Sequence, residues 1–373
     1  MYRKIFLGLL FILSVSILFC SCGNNKSDAN EISYKYKEKI TSANGISHLK
    51  YKIQDKLIID ADINYNEKQS EYNSYEAKLM VFDKESVRPA LMPEDLVIDE
   101  FHEGAGEPIS KNVTTDYYLL ENNNGASLGI GGTMIYYEKP IFENIYYAFK
   151  LDNNSDLYNA DKYNTESNLG FMSRSAAFEK VKTILSNLNI VVSKNYTCYS
   201  LDCETMTKEY HYISASDDDK HEKTHSFKKS EECYCFVLKE EAGELPISQF
   251  SYGDSESGSY VPGTEIKVFY GKEGLIMLDI SCPYDVVKIR DNQPVMNLDK
   301  AIDKLNNKYK SMIITDIIEV KKISLNYTAV MVNADKNEYT LVPSWIFEVT
   351  QKFSDYNESF SIMFNAVTGE EFV

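Results

Sequence analysis

The chain has 373 residues and a formal net charge of −17 at pH 7, with 43% hydrophobic and 13% aromatic residues. This length corresponds to about two or three domains, and the apolar content excludes intrinsic disorder for the chain as a whole. The acid excess argues against nucleic-acid binding, because neutralising phosphates requires a basic surface. We therefore expect a folded protein with no nucleic acid among its partners.

The first residues have the layout of a secretory signal. Arg3 and Lys4 precede an apolar run from Ile5 to Phe19. As a helix, this run would rise about 22 Å, which is short of the roughly 30 Å hydrocarbon core of a bilayer. The pattern predicts a signal peptide over residues 1–21 rather than a permanent membrane-spanning helix.

The end of this segment resembles the lipobox of bacterial lipoproteins, in which a small residue precedes the cysteine that is acylated. Ser21 supplies the small residue before Cys22, whereas Phe19 stands where Leu is usual. The resemblance implies a palmitate-type acyl anchor on Cys22, with residues 22–30 as a polar tether. Two acyl chains give stable anchoring, so we expect the protein on the outer face of a Gram-positive cytoplasmic membrane. The alternative is a cleaved and freely secreted protein.

Residues 31–165 are predicted to form a β-rich N-terminal domain. β-branched and aromatic residues lie between clusters of Asn and Gly, which is typical of strands and turns. The polar, Asn-rich stretch 152–168 is a plausible domain boundary. The predicted strands are Ile53–Tyr65, Tyr75–Phe82, Tyr117–Leu120, Thr133–Tyr137 and Ile145–Leu151.

Two amphipathic helices follow, and they align at an offset of 124 residues. Ser173 and Asn297 are the candidate N-caps, and each helix runs into an apolar, strand-like segment, at 190–192 and 313–314. This predicts an internal duplication in which a helix leads into an antiparallel sheet, with modules at 166–290 and 291–373. The alternative is that two unrelated amphipathic helices agree by composition. The expected fold class is α+β: a β-rich N-terminal domain and two helix-on-antiparallel-sheet repeats.

Strand patterns complete both modules. In the first, alternation around Gly271 and Gly274 predicts a β-hairpin. In the second, alternation from Leu341 to Val349 is answered by a return strand with Phe360, Ile362 and Phe364. Pro343 lacks an N–H and is therefore expected at a strand start or an edge.

The C-terminal stretch Tyr339–Phe347, followed by Asn365–Glu370, is similar to the final hairpin of PepSY-like and YycI-type extracytoplasmic modules. There a Pro-x-Trp strand returns to an Asn/Asp-Ala-x-Thr-Gly-Glu turn, with Gly369 at the turn and Trp345 packed between sheet and helix. Over its whole length the chain resembles uncharacterised lipoproteins of Gram-positive, clostridial-type anaerobes. YycI-type proteins restrain a membrane kinase by protein contact, so the resemblance implies non-catalytic binding. They use a transmembrane helix where this chain has Cys22.

Cysteines and histidines form the densest cluster of candidate metal ligands. His221 and His225 would share a helix face, and Cys233 and Cys235 share a strand face. Neither cysteine pair has zinc-finger spacing, so we predict no metal site and keep these four as weak candidates. Two alternatives remain open for the five cysteines outside the signal: a disulfide between the 198–203 and 233–235 segments, or buried free thiols. These cysteines are 198, 203, 233, 235 and 282.

Paired tyrosines are the candidate binding residues. Such pairs can stack on sugars or form a protein interface, although tyrosine also fills half-buried strands well. No motif of a hydrolase, metalloprotease or phosphate-binding loop occurs, so we predict a non-enzyme without cofactors. The tyrosine pairs are Tyr117 and Tyr118, Tyr136 and Tyr137, and Tyr146 and Tyr147.

The expected function is non-catalytic binding of another envelope protein, with membrane lipid as the second partner through Cys22. The alternative is a lipoprotein that binds a peptide or glycan for transport or wall remodelling. A concave pocket would favour the alternative, and a flat acidic face would favour the first.

Overall fold

Strands make up most of the ordered chain. The computed structural model describes residues 38–42, 45–92, 97–103, 116–152, 154–155, 157–210, 224–254 and 259–373. The predicted α+β class, rich in sheet, is confirmed. In the described residues the strands are β1 (Glu38–Ser42), β2 (Gly45–Lys52), β3 (Leu57–Asn64), β4 (Glu71–Leu79), β5 (Val97–Glu103), β6 (Tyr117–Asn122), β7 (Ser127–Gly131), β8 (Met134–Glu138), β9 (Thr197–Leu201), β10 (Cys233–Leu238), β11 (Glu241–Ala242), β12 (Leu245–Pro246), β13 (Glu265–Gly271), β14 (Gly274–Ser281), β15 (Tyr284–Pro294), β16 (Ile317–Asn333), β17 (Glu338–Lys352), β18 (Asn357–Asn365) and β19 (Glu371–Phe372).

The two predicted helices form, and both begin at the predicted cap. The Ser173 hydroxyl accepts a hydrogen bond from the Ala176 amide at 3.3 Å, and the Asn297 side chain accepts one from the Lys300 amide at 3.0 Å. Across the part of the chain described, every helix is too short or too polar to cross a bilayer. The helices are α1 (Lys84–Leu91), α2 (Ile141–Ala148), α3 (Arg174–Asn187), α4 (Cys203–Glu209) and α5 (Leu298–Lys310).

A nine-stranded sheet contains both ends of the described chain. Its path runs β1-β2-β3-β16-β17-β18-β19, with β4 paired to β17 and β15 paired to β4. The β3–β16 pair is parallel and the other pairs are antiparallel. One face packs on α5, where the buried Trp345 indole donates to the Met296 carbonyl at 2.9 Å, just before the helix cap. This confirms the predicted position of Trp345 between sheet and helix.

An eight-stranded antiparallel sheet occupies the middle of the chain. Its order is β5-β6-β7-β8-β14-β13-β10-β9. Helices α1 and α3 cover one face, and α2 and α4 cover part of the other, which gives two separate apolar cores. Alternate residues of β10 therefore enter different cores: Tyr234 and Phe236 lie on the α3 side, whereas Cys233 and Cys235 lie on the α2 side.

The strands of residues 31–165 do not form a sheet of their own. Strands β1 to β4 belong to the nine-stranded sheet, and β5 to β8 belong to the eight-stranded sheet. Strand β15 runs across the expected boundary after residue 290 and pairs with β4, in the same sheet as β16 to β19. Both expected boundaries, after 165 and after 290, therefore fall between strands that pair with each other, because tertiary pairing and not local pattern decides which strands meet.

Residues Ile145–Leu151, predicted as a strand, lie mostly in α2, so this prediction is wrong. Phe142, Ile145 and Ala148 are buried on one side of the helix, and Pro140 occupies its N-cap. Three-residue spacing of apolar side chains is helical, and the adjacent aromatic residues 146 and 147 obscured it.

Other short segments also differ from expectation. Residues 190–192 and 313–314 lie outside the strands, with Val191 62% and Ile313 96% exposed. Pro343 lies inside β17 rather than at its start. On one side of β17 the neighbouring strand changes from β4 to β18 near Pro343. The Pro343 carbonyl accepts a hydrogen bond from the Ala366 amide on the same side. Because Pro343 is paired with neither of these two strands at this point, its missing N–H costs no hydrogen bond between strands.

The predicted hairpins are confirmed. Gly271 pairs with Gly274, whose φ of 92° suits glycine, at the turn between β13 and β14. In the second hairpin Trp345 lies opposite Phe364. Gly369, with φ of 76°, closes the turn after β18.

Candidate functional site

A cleft of about 800 Å³ lies between the open faces of the two sheets. Helices α2 and α4 cover the Cys233 and Cys235 end of the eight-stranded sheet, and Val237, the next residue on that face, packs against the margin of this core and also lines the cleft. The uncovered end therefore faces the nine-stranded sheet across open space. Its size is within the range of pockets that hold small ligands.

The eight-stranded sheet contributes one continuous row of side chains to this cleft. Thr197, Val237 and Lys267 lie side by side on β9, β10 and β13. Lys267 is ion-paired with Glu265 at 2.8 Å. Burial lowers the pKa of Lys267, but the nearby carboxylates Glu265 and Asp279 outweigh it and leave the pKa raised, so this lysine stays charged.

The nine-stranded sheet contributes a second row of charges. Lys322 on β16 lies opposite Glu348 on β17, with 3.1 Å between ammonium and carboxylate. A β-bulge between Val320 and Lys322 adds Lys321 to the strand, and both lysines reach the cleft although they are consecutive. Bulges re-aim side chains in this way and are common at functional sites.

Lys239 extends into the cleft just after β10. The side-chain amide of Asn326 is oriented so that its nitrogen donates to the Leu325 carbonyl and its oxygen accepts a hydrogen bond from Lys239 Nζ at 3.3 Å. Burial lowers the pKa of Lys239 to about 8, with a further lowering by Lys322 and an opposing effect from Glu348. A lysine at the end of six mostly buried strand residues is the sequence signal that could have pointed to this site.

One side-chain clamp joins the two walls of the cleft. The Asn154 amide donates to the Ser359 carbonyl at 3.2 Å and accepts from the Ser359 amide at 2.8 Å. Asn154 belongs to the segment that follows α2, whereas Ser359 is on β18 of the other sheet. These two hydrogen bonds have the same pattern as those between paired strands, and they hold the two walls together at that end of the cleft.

The predicted tyrosine pairs lie elsewhere. Adjacent residues of a strand point to opposite faces, so Tyr136 is 36% exposed while Tyr137 is buried. Tyr117 lies across Gly129 and Gly131 of β7, where a Cβ would come within 2.8 Å of its ring or hydroxyl. None of the six tyrosines is among the described residues that line the cleft, where the aromatic groups are Tyr158, Tyr196, Tyr199, Phe250 and Phe360.

The remaining three tyrosines of the pairs each contact another side chain. Tyr118 stacks on His102 with ring centroids 4.4 Å apart. Tyr146 is 54% exposed, and Lys150 Nζ lies 3.1 Å from its ring centroid, with Tyr147 beside it. These contacts place the third pair on α2, apart from the other two on β6 and β8.

The three weak metal candidates that the structure describes, His225, Cys233 and Cys235, are not gathered into one site. Cys233 and Cys235 are fully buried, and burial raises the pKa of both thiols, which keeps them protonated. His225 packs edge-on against Phe227 at 4.5 Å. His221 and the lipidation candidate Cys22 lie outside the described residues. Across the described ranges no group of three or more His, Cys, Asp or Glu side chains is arranged to hold a metal.

The five cysteines outside the signal are free in the structure. Of the two states left open by the sequence, the structure has free thiols and no link between the 198–203 and 233–235 segments. Cys198 lies in the α3-side core, whereas Cys233 and Cys235 lie in the α2-side core, on the opposite face of the sheet, and a disulfide cannot span the sheet without backbone movement. Cys203 packs against the α2-side core and also forms no disulfide with either of them.

Comparison with known proteins identifies a shared fold. No protein-family model and no curated protein matches the chain. An uncharacterised protein from Eubacterium rectale is similar in structure with a TM-score of 0.67 and 21% identity, over 88% of this chain and 93% of that one. The C-terminal domain of YpeB from Bacillus megaterium matches with a TM-score of 0.27 and 11% identity, over 79% of this chain and 96% of that one. The chain therefore shares the fold of the Eubacterium rectale protein.

Proposed function

We propose that the protein captures a small soluble ligand in the cleft between its two sheets and releases it unchanged. The observation that carries this proposal is the cleft itself, about 800 Å³ with aromatic rings, amides and charges along its walls. A few placed polar groups on a partly apolar wall are typical of binding pockets. Of the two functions expected from the sequence, a concave site supports ligand binding.

The charged groups of the cleft support binding rather than catalysis. Glu265 and Glu348 are each held by a lysine, at 2.8 and 3.1 Å, instead of facing one another. An acid and a base poised for proton transfer need pKa values pushed apart by their surroundings. We propose that these ion pairs hold the walls in shape and that no cofactor takes part.

A variant that fills the cleft tests this function. Val237→Trp adds an indole to the middle of the cleft wall, and Ile98→Trp on β5, where Ile98 is 67% exposed, is the matched control. Each protein is incubated with a soluble digest of envelope peptides and glycans and examined by native mass spectrometry. We expect the wild type and Ile98→Trp to retain the same adduct and Val237→Trp to lose it. Equal adducts on all three, or none on the wild type, would refute the proposal.

We propose further that Cys22 is acylated and that the protein acts at the outer face of the cytoplasmic membrane. The sequence around Cys22 supports this, with Ser21 before it and a short apolar run ahead. An anchored protein would keep its ligand near the cell surface, which suits transport or wall remodelling. Growth with labelled palmitate should label the wild type and leave Cys22→Ala unlabelled; label on both would exclude this site.

The two helix-led units support a proposal of duplicated PepSY/YycI-like modules. Helix α3 precedes β9, β10 and β13, and α5 precedes β16, β17 and β18, with antiparallel neighbours in each set. Both helices also begin at a side-chain cap. In a broad set of related sequences the two units should align with each other near the 124-residue offset, and consistent failure to do so would reject the duplication.

A second candidate function is contact with another envelope protein. Strand β5 ends the eight-stranded sheet and exposes Ile98 and Phe101, which are 67% and 56% exposed. An apolar edge strand can add a strand from a partner. Cross-linking in intact cells should then recover one protein with the wild type and lose it with Ile98→Lys and Phe101→Lys; recovery unaffected by both changes would exclude this surface.

A further inference from the structure

The lining of the cleft has more lysines than acids, although the protein is strongly acidic. The chain as a whole carries a net charge of −17. The described side chains that line the cleft include four lysines against three acids, Asp152, Glu265 and Glu348. Lysines in such a cleft attract anionic ligands, because the low-dielectric walls focus the local electric field.

Three of the four lysines already have a carboxylate. Lys267 contacts Glu265 at 2.8 Å, Lys321 contacts Glu319 at 2.9 Å, and Lys322 contacts Glu348 at 3.1 Å. Their charges are largely compensated within the protein. They stiffen the walls but offer little unbalanced charge to a ligand.

Lys239 is the exception among the described residues. Its hydrogen bond runs to a neutral amide, that of Asn326, and no carboxylate oxygen of the described chain lies within 4 Å of its ammonium. Burial is the main effect that lowers the pKa of Lys239, nearby Lys322 lowers it further, and the more distant charge of Glu348 opposes both. Partial burial of an ammonium without a counter-ion is costly, and that cost is recovered when an anion binds.

The surroundings of Lys239 suit the rest of a polar ligand. Asn154, Asn195 and Gln249 bring side-chain amides to the cleft, and Tyr199 brings a phenol. The Tyr199 ring is supported from behind by Phe149, with ring centroids 5.2 Å apart. Amides and a supported ring can bind hydroxyl or peptide groups next to a charged end, as expected where a few polar groups fix orientation.

We infer that the ligand carries a carboxylate, which pairs with the Lys239 ammonium in the cleft, while its uncharged polar body lies along the amides and Tyr199. This inference rests on the proposed ligand-capture function and specifies its ligand class. A carboxylate can come from an acidic sugar or from the end of a peptide, and both present the same group to the lysine. Charge-assisted hydrogen bonds of this kind are shorter and stronger than neutral ones.

Pairs of probes that differ only in charge test the inference. Glucuronate is compared with glucose, and N-acetyl-tri-alanine with its C-terminal amide, by calorimetric titration of the whole protein at constant ionic strength. The variants are Lys239→Met, which keeps the length of the side chain, and Lys139→Met as control. Lys139 is also a partly buried lysine, and its ammonium donates to the Glu273 carbonyl outside the cleft.

We expect at least one acid to bind the wild type and Lys139→Met at least tenfold more tightly than its neutral partner, with this preference lost in Lys239→Met. The pair that shows the preference identifies the source of the carboxylate. Equal binding of acid and neutral partner, unaffected by Lys239→Met, would overturn the inference but leave ligand capture standing. Binding of no probe to the wild type would count against both.

Discussion

Glu240, the residue next to Lys239, shows how a single buried group can tie the two sheets together. Its carboxyl oxygen lies 3.1 Å from the Thr264 hydroxyl and 2.9 Å from the Tyr284 amide, which donates to it. The Thr264 hydroxyl lies 3.0 Å from the Cys282 carbonyl as well. A hydroxyl has one proton, so Thr264 donates to only one of these two acceptors when Glu240 is ionised. When Glu240 is protonated, the carboxyl donates to Thr264, Thr264 donates to the Cys282 carbonyl, and every group is satisfied.

This geometry predicts a stability that depends on pH. Burial raises the pKa of Glu240 to about 8, and the hydrogen bonds from Tyr284 and Thr264 oppose the rise only in part. The unfolded chain loses this proton near the ordinary pKa of glutamate, whereas the folded protein keeps it up to about 8. The wild type should therefore lose stability as pH rises from about 5 to 8.

Glu240→Gln removes the titrating group and keeps its shape. We expect the free energy of unfolding of the variant, relative to wild type, to rise by on the order of 3 kcal/mol between pH 5 and pH 8.5. Denaturant unfolding at the two pH values measures this change. Glu348→Gln is the control, because Glu348 is ion-paired at the cleft and not enclosed. Parallel profiles for wild type and Glu240→Gln would show that Glu240 is ionised in the fold.

At the scale of elements, sequence patterns predicted those features that depend on local physics. Ser173 and Asn297 cap helices because a short oxygen-bearing side chain before an apolar stripe meets unpaired amides. The turn at Gly274 follows from alternation and from the backbone freedom of glycine. By contrast, α2 was missed because two adjacent aromatic residues favoured a strand.

The cleft could not be predicted from local patterns. Lys239 and Lys322 come from different sheets and meet only because the two sheets are packed face to face. The tyrosine pairs were chosen for composition, yet a strand separates adjacent residues onto opposite faces, as with Tyr136 and Tyr137. Other side chains form the site, because the way in which strands pair and sheets pack decides which residues line it. The periodicity of the sequence does not specify that packing.

The Asn154 clamp predicts a local change in exchange. Asn154→Ala removes both hydrogen bonds to Ser359 and should cost about 1 kcal/mol or less at this exposed position. Hydrogen–deuterium exchange around Ser359 should become faster while the core of β17 is unchanged. Asn66→Ala, which removes only a turn hydrogen bond to the Lys68 amide, is the control. Unchanged exchange at Ser359 would mean that the clamp does not hold the strand.

At the scale of the whole molecule, the two sheets share the chain in an interleaved order. Strands β3 and β4 of the first part pair with β16 and β17 of the last, and β8 pairs with β14. Cutting after residue 165 would leave strand edges unpaired in both sheets, and cutting after residue 290 would do so in the nine-stranded sheet. Loop segments such as the one with Ser248, whose amide donates to the Tyr327 carbonyl, add further connections between the halves.

This interleaving predicts unfolding in one transition. The single tryptophan, Trp345, reports on the nine-stranded sheet by fluorescence, and labelling of the buried thiols of Cys233 and Cys235 reports on the eight-stranded sheet. Both probes should give the same denaturant midpoint. Separate midpoints would show that the sheets are independent folding units and that the interleaved strands contribute little to cooperativity.

A crystal structure of the protein at saturating concentration of each acid probe, glucuronate and N-acetyl-tri-alanine, is the most direct test of the cleft as a ligand site. We predict that at least one of them lies between the two sheets, with its carboxylate within hydrogen-bond distance of Lys239 Nζ and its polar body beside Tyr199. A ligand bound elsewhere on the protein, or a cleft that stays empty at saturation, would contradict the assignment.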